Sequence, residues 1–206
     1  MQLVGMLDSP YVRRCAVSMA LLGIPFEHRS VSVFRHMDTF KAINPLVKAP
    51  TLVCDDGTVL HDSNLILQYI ESQAAPKSLW PRDAAALVQA LRITANALVA
   101  MEKTVQCVYE QNTRPADKQH QPWLDRVTAQ LHAAYDLIEP DVVKAGHGHL
   151  VGNELTQADI SVVVAWGFTQ FTQADRAPKS RYPAIAEFAA RMETMLEFGA
   201  YPVDRE

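Results

Sequence analysis

Ser9 and Pro10 stand between a short apolar run and a segment in which apolar residues recur at helical spacing. Serine is a favoured helix N-cap, because its side-chain oxygen accepts a hydrogen bond from a free backbone N–H of the first turn. Proline suits the first helical position, so the pair indicates the start of a helix. The Ser9 hydroxyl could instead be presented to activate a bound group, although the spacing alone favours capping.

Two further polar pairs stand where helices are expected to begin. Asp62-Ser63 precedes the stretch NLILQYIES, and for this pair a plain N-cap and a binding role are equally good interpretations. Thr156 and Asp159 form a T-x-x-D variant of the capping box before a strongly apolar helix. We interpret this second pair as structural and expect Asp159→Ala to destabilise the fold rather than to remove an activity.

The histidines and cysteines do not predict a metal site. His147 and His149 flank a glycine but lack a third ligand at a suitable spacing, so a solvated loop is the favoured interpretation. The cysteines, Cys15, Cys54 and Cys107, are widely spaced and form no CxxC pair. We expect them to be buried thiols of a protein in a reducing compartment.

Residues 1–76 are predicted to form an α/β domain that positions these polar pairs. An apolar run at residues 2–6 predicts a buried strand, and the helix that follows ends at Gly23, which suits a left-handed position. FEHRSVSV predicts a second strand and HMDTFKAIN a weak helix. Asp-Gly at residues 56–57 lies between two β-rich runs and predicts a hairpin, and a third helix opens at Ser63. The order β-α-β-α-β-β-α predicts a mixed sheet flanked by helices.

The remainder of the chain has a helical pattern. Residues 77–83 combine proline with charged residues and are predicted to be a linker. Four helices are predicted beyond it, starting at Ala84, at residue 123, near Thr156 and at Pro183. The third is apolar almost all round, so it is expected at the centre of a bundle. The sequence therefore predicts an all-α C-terminal domain over residues 84–206.

The composition argues against several classes of function. The chain of 206 residues is 49% hydrophobic and 20% charged, which is ordinary for a globular protein. A net charge of −4 without runs of like charge argues against nucleic-acid binding. The N-terminus lacks the pattern of a signal peptide, and no run approaches the roughly 20 apolar residues of a membrane span. We therefore expect a cytoplasmic protein without a membrane partner.

Four local motifs occur in a characteristic order along the chain. They are Ser9-Pro10-Tyr11, then Asn44-Pro45 followed by Lys48-Ala49-Pro50, then Asp62-Ser63, and finally LVGNELTQADISVVVAW. Each motif is weak alone, but together they cover nearly the whole chain and resemble the cytosolic glutathione S-transferase superfamily, in its bacterial, serine-type form. The resemblance implies a thioredoxin-like N-terminal domain and a C-terminal helical bundle. It also implies a homodimer that uses glutathione as cosubstrate and needs no metal.

Ser9 is the catalytic residue that this resemblance implies. Conjugation needs the thiolate of glutathione, because the anion is the nucleophile. A free thiol has a pKa of roughly 8.5, and lowering it to about 6.5 requires roughly 2.7 kcal/mol of preferential stabilisation of the anion. A serine hydroxyl at the positive end of a helix could provide energy of that order. The resemblance therefore reverses the preference for plain capping at Ser9.

Two other motifs are implied to hold the tripeptide. In the family, the proline that matches Pro50 is cis, and the residue before it, here Ala49, pairs its backbone with the cysteinyl portion. Lys48 could contact a carboxylate of glutathione. Ser63 and the free N–H groups of its helix would bind the γ-glutamyl carboxylate, and Asp62 would face the amino group, replacing the more usual glutamate.

The electrophile is expected to bind between the two domains. Tyr11, Tyr109 and Trp166 are weak candidates to line its pocket, and core packing is an equally good interpretation for Tyr109 and Trp166. Arg13 and Arg14 are expected either to attract anionic glutathione or to be exposed helix charges. Cys15 lies well into the first helix and is expected to be buried.

The favoured function is that of a glutathione transferase acting on a small hydrophobic electrophile in detoxification. A thiol transferase or peroxidase is less favoured, because relatives of that branch carry cysteine where Ser9 stands. A zeta-type isomerase is disfavoured, since a Ser-Ser-Cys opening is missing. A non-catalytic scaffold remains an alternative, although the retained glutathione-binding residues argue against it.

Overall fold

Residues 1–203 are described by a computed structural model, and they divide into two units. The first unit joins Met1–Leu79 to the end of the chain from Met195, and the second is Trp80–Thr194. The division at Leu79 lies within the predicted linker. The structure differs from the prediction of a helical domain over 84–206, because residues 195–203 belong with the N-terminal unit; residues 204–206 of that prediction lie outside the described part.

A mixed four-stranded sheet forms the centre of the first unit, as the strand and hairpin patterns predict. The strands are β1 (Gln2–Val4), β2 (Glu27–Arg29), β3 (Thr51–Val53) and β4 (Val59–His61). Their order is β2-β1-β3-β4, with β1 parallel to β2 and antiparallel to β3. Leu3 on β1 pairs with His28 and Leu52, and both leucines are fully buried.

Three helices flank this sheet: α1 (Pro10–Leu22), α2 (Met37–Ile43) and α3 (Ser63–Ala74). Helix α1 ends at Gly23 with φ 75°, where the amides of Gly23 and Ile24 satisfy the last carbonyls in a Schellman arrangement. Gly5 lets the chain after β1 pass close to α1, since a Cβ there would lie 2.6 Å from Cγ2 of Val12. These features bring the start of α1 to one end of the sheet.

The second unit is helical, as predicted. Its long helices are α4 (Ala84–Asn112), α5 (Gln121–Ala145), α6 (Gln157–Gln173) and α7 (Pro183–Met192). Helix α6 is buried almost all round and packs against α4, which confirms its predicted central place. Three hydroxyls join the helices in the core, because Thr169 Oγ1 lies 2.8 Å from that of Thr104 and 2.7 Å from the Tyr135 hydroxyl oxygen.

The sequence predicts no segment long and apolar enough to span a membrane, but helix α4 meets that description. By length and composition it is apolar enough to cross a membrane, with a mean hydropathy of 1.5 over its most apolar window. The core helix of a water-soluble bundle meets the same criterion, and α4 packs against both α5 and α6. Its N-terminus is capped by Asp83, whose carboxylate accepts a hydrogen bond from the amide of Ala86.

The end of the chain returns to the first unit through a short helix, α8 (Leu196–Gly199). Phe198 is fully buried, and its ring lies 5.9 Å from the Arg13 guanidinium on α1. The Arg13 side chain donates to the carbonyl of Tyr201 at 2.7 Å, and the Tyr201 ring stacks on Phe26. The first unit is therefore completed by residues distant in sequence.

Candidate active site

Ser9 occupies the N-cap position of α1 but does not use its side chain as a cap. Its backbone is extended, with φ −73° and ψ 120°, and its carbonyl accepts the first helical hydrogen bond from Arg13. Within residues 1–203 the hydroxyl makes no capping hydrogen bond to the first turn. The hydroxyl is half-buried beside the positive end of a 13-residue helix, where it can donate to an anion.

The loop before β3 holds Ala49 and Pro50 through a braced turn. The Ala49–Pro50 peptide bond is cis, as the resemblance implied. Asn44 donates its side-chain amide to Thr51 Oγ1 at 2.8 Å, and Thr51 Oγ1 in turn donates to the carbonyl of Lys48 at 2.6 Å. Asn44 and Thr51 are buried while the Lys48 side chain is exposed. The loop thus presents Lys48 and the Ala49 backbone from a fixed base.

Val47 has an unusual conformation in the same loop. Its φ is 51°, in the left-handed region that a β-branched residue rarely adopts. The side chain packs against a cluster formed by Val4, Val31 and Phe40. Packing into this cluster therefore offsets the unfavourable backbone immediately before Lys48.

Asp62 and Ser63 open α3 in the manner of an N-cap. The Asp62 carboxylate accepts hydrogen bonds from the amides of Asn64 at 2.8 Å and Leu65 at 3.4 Å, so the capping interpretation is confirmed for Asp62. Ser63 is 4% exposed, and its hydroxyl oxygen lies 3.4 Å from Nη1 of Arg14. The dipole of α3 favours a negative charge at this end of the helix, where the Asp62 carboxylate already takes the amides of Asn64 and Leu65.

Arg13 and Arg14 are buried, so of their two interpretations that of exposed helix charges is wrong. Both are 1% exposed, and they extend in different directions from α1. Arg13 binds backbone carbonyls of Phe198 and Tyr201, whereas Arg14 donates to Asn64 Oδ1 at 2.7 Å. Burial lowers the pKa of Arg14, and the nearby Cys15 and Asp62 act in the opposite direction.

The predicted pocket residues have different surroundings. Tyr11 is half-buried on α1 in the first unit, and Tyr109 is 46% exposed on α4 in the second. Trp166 is 3% exposed, and its ring packs edge-on against Tyr135 and Tyr182. The surroundings of Trp166 therefore favour its alternative interpretation as a core residue.

The three cysteines are buried free thiols. Burial raises the pKa of the Cys15 thiol to about 12, and the thiol packs 3.9 Å from the Ser63 carbonyl oxygen. Cys54 and Cys107 are also buried and reduced. His149 Nδ1 lies 3.6 Å from the Asp159 carboxylate. No cluster of three or more metal-ligating side chains occurs among residues 1–203.

The capping box at the start of α6 is confirmed. Asp159 is fully buried, and its Oδ2 accepts hydrogen bonds from the amide and the hydroxyl of Thr156, both at 2.8 Å. Its other oxygen accepts from the amide of Leu150 at 2.9 Å. The carboxylate thereby joins the preceding loop to the first turn of α6.

Two supporting residues were missed by the sequence reasoning. Asn64 was treated only as part of a helix, although it binds Arg14. Thr51 was treated only as a strand residue, although it braces the loop at Lys48. The contact between Arg14 and Asn64 has no local sequence signal, because the two residues are 50 positions apart, whereas Thr51 and Lys48 are three positions apart.

Comparisons with known proteins agree with this geometry. The chain matches the family model "Glutathione S-transferase, N-terminal domain" over residues 3–78 and "Glutathione S-transferase, C-terminal domain" over residues 121–191. It is 30% identical over 171 residues to the uncharacterized GST-like protein YibF of Escherichia coli, covering 83% of each chain.

Solved structures extend the similarity over the whole length. A glutathione transferase family member of Pseudomonas fluorescens Pf-5, with bound glutathione, has 26% identity and a TM-score of 0.85, covering 99% of each chain. A glutathione S-transferase of Methylobacillus flagellatus, also with glutathione bound, has 25% identity and a TM-score of 0.88. That alignment covers 97% of this chain and 98% of the other.

Proposed function

Because this chain belongs to the glutathione S-transferase family, we propose that it is a glutathione transferase in which Ser9 stabilises the thiolate of bound glutathione. The thiolate sulfur attacks an electrophilic carbon of a small hydrophobic compound, and the leaving group departs with the bonding electron pair. Glutathione is the cosubstrate, and none of the steps requires a metal.

The single observation that carries the proposal is the uncapped state of the Ser9 hydroxyl. The side chain stands at the N-cap of α1 yet makes no capping hydrogen bond within residues 1–203. The helix dipole at that point favours a negative charge, and a hydroxyl that donates to sulfur adds to the stabilisation of a thiolate. Bound glutathione in two related structures supports the choice of thiol.

The residues proposed to hold glutathione lie in the first unit, as Ser9 does. Ala49 would pair its backbone with the cysteinyl portion of glutathione, from the loop that leads into β3. Lys48 would contact a carboxylate, and Ser63 would receive the γ-glutamyl carboxylate at the start of α3. Asp62 would face the amino group.

The test is a calorimetric titration of glutathione into the purified chain, with ultraviolet absorbance of the thiolate followed in the same samples. The proposal expects binding with an ionised thiol near neutral pH. S-methylglutathione is the matched control ligand, because it lacks the proton whose loss is measured. Binding of glutathione without ionisation would contradict the proposed role of Ser9. No binding at millimolar glutathione would contradict the function as a whole.

Two alternatives are distinguished from this proposal by turnover assays rather than by the titration. A glutathione-dependent thiol transferase or peroxidase would bind glutathione but act on disulfides or peroxides rather than on electrophilic carbon. A non-catalytic scaffold would show no turnover with any of these substrates. Burial and the raised pKa of the Cys15 thiol disfavour the thiol-transfer alternative, since that thiol is the one in the helix that follows Ser9.

We also propose that the chain acts as a cytoplasmic homodimer in the detoxification of electrophiles. Exposed apolar side chains on its helices support association, including Leu65 at 58% exposure and Val88 at 60%. Sedimentation velocity tests the assembly, with an expected mass of about twice 22.9 kDa at micromolar concentration. A single protomer's mass across the concentration range would contradict it.

A further inference from the structure

Arg14 is a buried cation without an anionic hydrogen-bond partner among the described residues. It is 1% exposed on α1, and its Nη1 donates to Asn64 Oδ1 at 2.7 Å and to Ser63 Oγ at 3.4 Å. Its Nε is buried with no hydrogen-bond partner in residues 1–203. Both acceptors are neutral, whereas a charge removed from water is normally matched by an opposite charge. Arg13 on the same helix donates its Nε to the Tyr201 carbonyl, whereas the Nε of Arg14 is a buried donor left unpaired within residues 1–203.

The acidic residue beside it is already engaged. Asp62 lies close enough to act on Arg14 through its charge. However, its carboxylate oxygen Oδ1 accepts the backbone amides of Asn64 and Leu65 as the cap of α3. Among the described residues, the Arg14 guanidinium therefore feels the charge of Asp62 without sharing a hydrogen bond with that carboxylate.

The hydrogen bonds that Arg14 donates determine which polar groups of Ser63 and Asn64 remain available to a ligand. A hydrogen bond accepted by Ser63 Oγ occupies a lone pair and leaves the hydroxyl proton to be donated elsewhere. Asn64 is held through its oxygen, so the remaining polar group of this exposed side chain is the NH₂ donor. Both residues lie in the first turn of α3, where the helix dipole also favours an anion, although the amides of Asn64 and Leu65 are already bonded to Asp62.

We propose that Arg14 is a positioning residue that makes the start of α3 selective for the α-carboxylate of the γ-glutamyl group of glutathione. It holds Ser63 and Asn64 as hydrogen-bond donors, and its charge is compensated when the carboxylate binds. This inference rests on the proposed function, since glutathione is the ligand. It adds a residue of α1 to the binding of the γ-glutamyl end of the tripeptide, whereas Ser9 is proposed to act on the central cysteinyl thiol.

The test compares the affinities of two ligands and does not depend on enzymatic turnover. Calorimetry measures the affinities of glutathione and of 4-aminobutyryl-cysteinylglycine, which lacks only the γ-glutamyl α-carboxylate. For the natural chain we expect glutathione to bind at least about tenfold more tightly, as a charge-assisted carboxylate contact would produce. In Arg14→Gln the preference falls to about threefold or less, because glutathione weakens while the analogue does not.

Arg13→Gln is the matched control variant. Arg13 is equally buried on the same helix but binds the carbonyls of Phe198 and Tyr201 instead of α3. It should lower the thermal unfolding midpoint while retaining the full preference for the carboxylate. A purely structural role for Arg14 predicts the same behaviour for Arg14→Gln, and that result would overturn the inference.

Asn64→Ala keeps the inference testable if the Arg14 variant does not fold. The Asn64 side chain is exposed, so its truncation leaves the core intact. We expect it to lower the preference for glutathione several-fold, and an unchanged preference would overturn the inference. If the natural chain binds glutathione with an ionised thiol but shows no preference between the two ligands, only the assignment at α3 is wrong. If it binds neither ligand, the proposed function is wrong as well.

Discussion

Ser9, Asp62 and Thr156 all stand at the start of a helix, but their side chains act differently. Asp62 and Thr156 accept hydrogen bonds from backbone amides of the first turn, whereas Ser9 does not within the described residues. The amides at the start of α1 therefore keep their capacity to stabilise a negative charge, and the hydroxyl of Ser9 remains a donor for it. At the scale of a residue, the unused cap is the feature on which the proposed role of Ser9 rests.

Replacing Ser9 tests whether its hydroxyl stabilises the thiolate of glutathione. Ser9→Ala should lower the rate of conjugation with an activated aryl chloride at least about tenfold, because the hydroxyl stabilises the thiolate. Glutathione affinity should change little, since the tripeptide is held by other groups. Ser30→Ala, at an exposed serine, is the control and should leave both quantities unchanged. Unchanged turnover in Ser9→Ala would move the role to Tyr11 or to a backbone amide.

At the scale of an element, buried carboxylates connect helices to the loops that precede them. Asp159 ties the loop at Leu150 to the first turn of α6. Glu110 near the end of α4 accepts the amide of His120, the residue that caps α5, and also binds Arg114. These contacts fix how successive helices of the second unit follow one another.

Asp159→Ala should destabilise the second unit without acting on the chemistry. The substitution leaves the buried amides of Leu150 and Thr156 without acceptors, and we expect a loss of about 3 kcal/mol in the free energy of unfolding. Urea denaturation measures this loss, and turnover per folded molecule should be retained at low temperature. Asp117→Ala, at an exposed aspartate, is the control. An unchanged unfolding midpoint in Asp159→Ala would contradict the structural role.

The Glu110 carboxylate is expected to contribute to the free energy of unfolding by an amount that depends on pH. The amide of His120, with help from Arg114, lowers the pKa of the Glu110 carboxyl in the folded chain. A lowered folded pKa means that the stabilisation is complete above the unfolded pKa, near 4.3, and is lost as pH falls through the folded value. The natural chain should therefore lose more stability on acidification than Glu110→Gln does. Parallel acid-unfolding curves for the natural chain and Glu110→Gln would contradict this. Glu102→Gln, at an exposed glutamate, is the control.

At the scale of the whole molecule, the first unit is discontinuous in sequence. Residues 195–203 pack on α1, where Phe198 is buried and Arg13 donates to backbone carbonyls. The unit that contains Ser9 is thus completed by a segment that follows the entire helical unit along the chain. The returning segment supplies the Tyr201 and Phe198 carbonyls to the buried Arg13 guanidinium, so we expect it to stabilise the first unit.

Ending the chain at Thr194 should therefore destabilise the first unit. Removal of α8 exposes the surface covered by Phe198 and leaves the Arg13 guanidinium without its carbonyls, so we expect a loss of about 3 kcal/mol or more. Thermal unfolding and glutathione binding report the effect. Phe198→Ala should reproduce most of it, while Leu196→Ala, at 82% exposure, should not. Unchanged thermal unfolding and glutathione binding in the shortened chain would show that the first unit does not need the residues beyond Thr194.

The sequence by itself determined the order of the elements, the mixed sheet, the central helix α6 and the capping box, because each depends on local periodicity or on residues a few positions apart. It also located the Ser9, Lys48-Ala49-Pro50 and Asp62-Ser63 motifs through their resemblance to a family. Only the tertiary structure decided that Arg13 and Arg14 are buried, that the end of the chain joins the first unit, and that the Ser9 side chain does not cap its helix. Those outcomes depend on contacts between residues up to 188 positions apart, and local patterns carry no information about such neighbours.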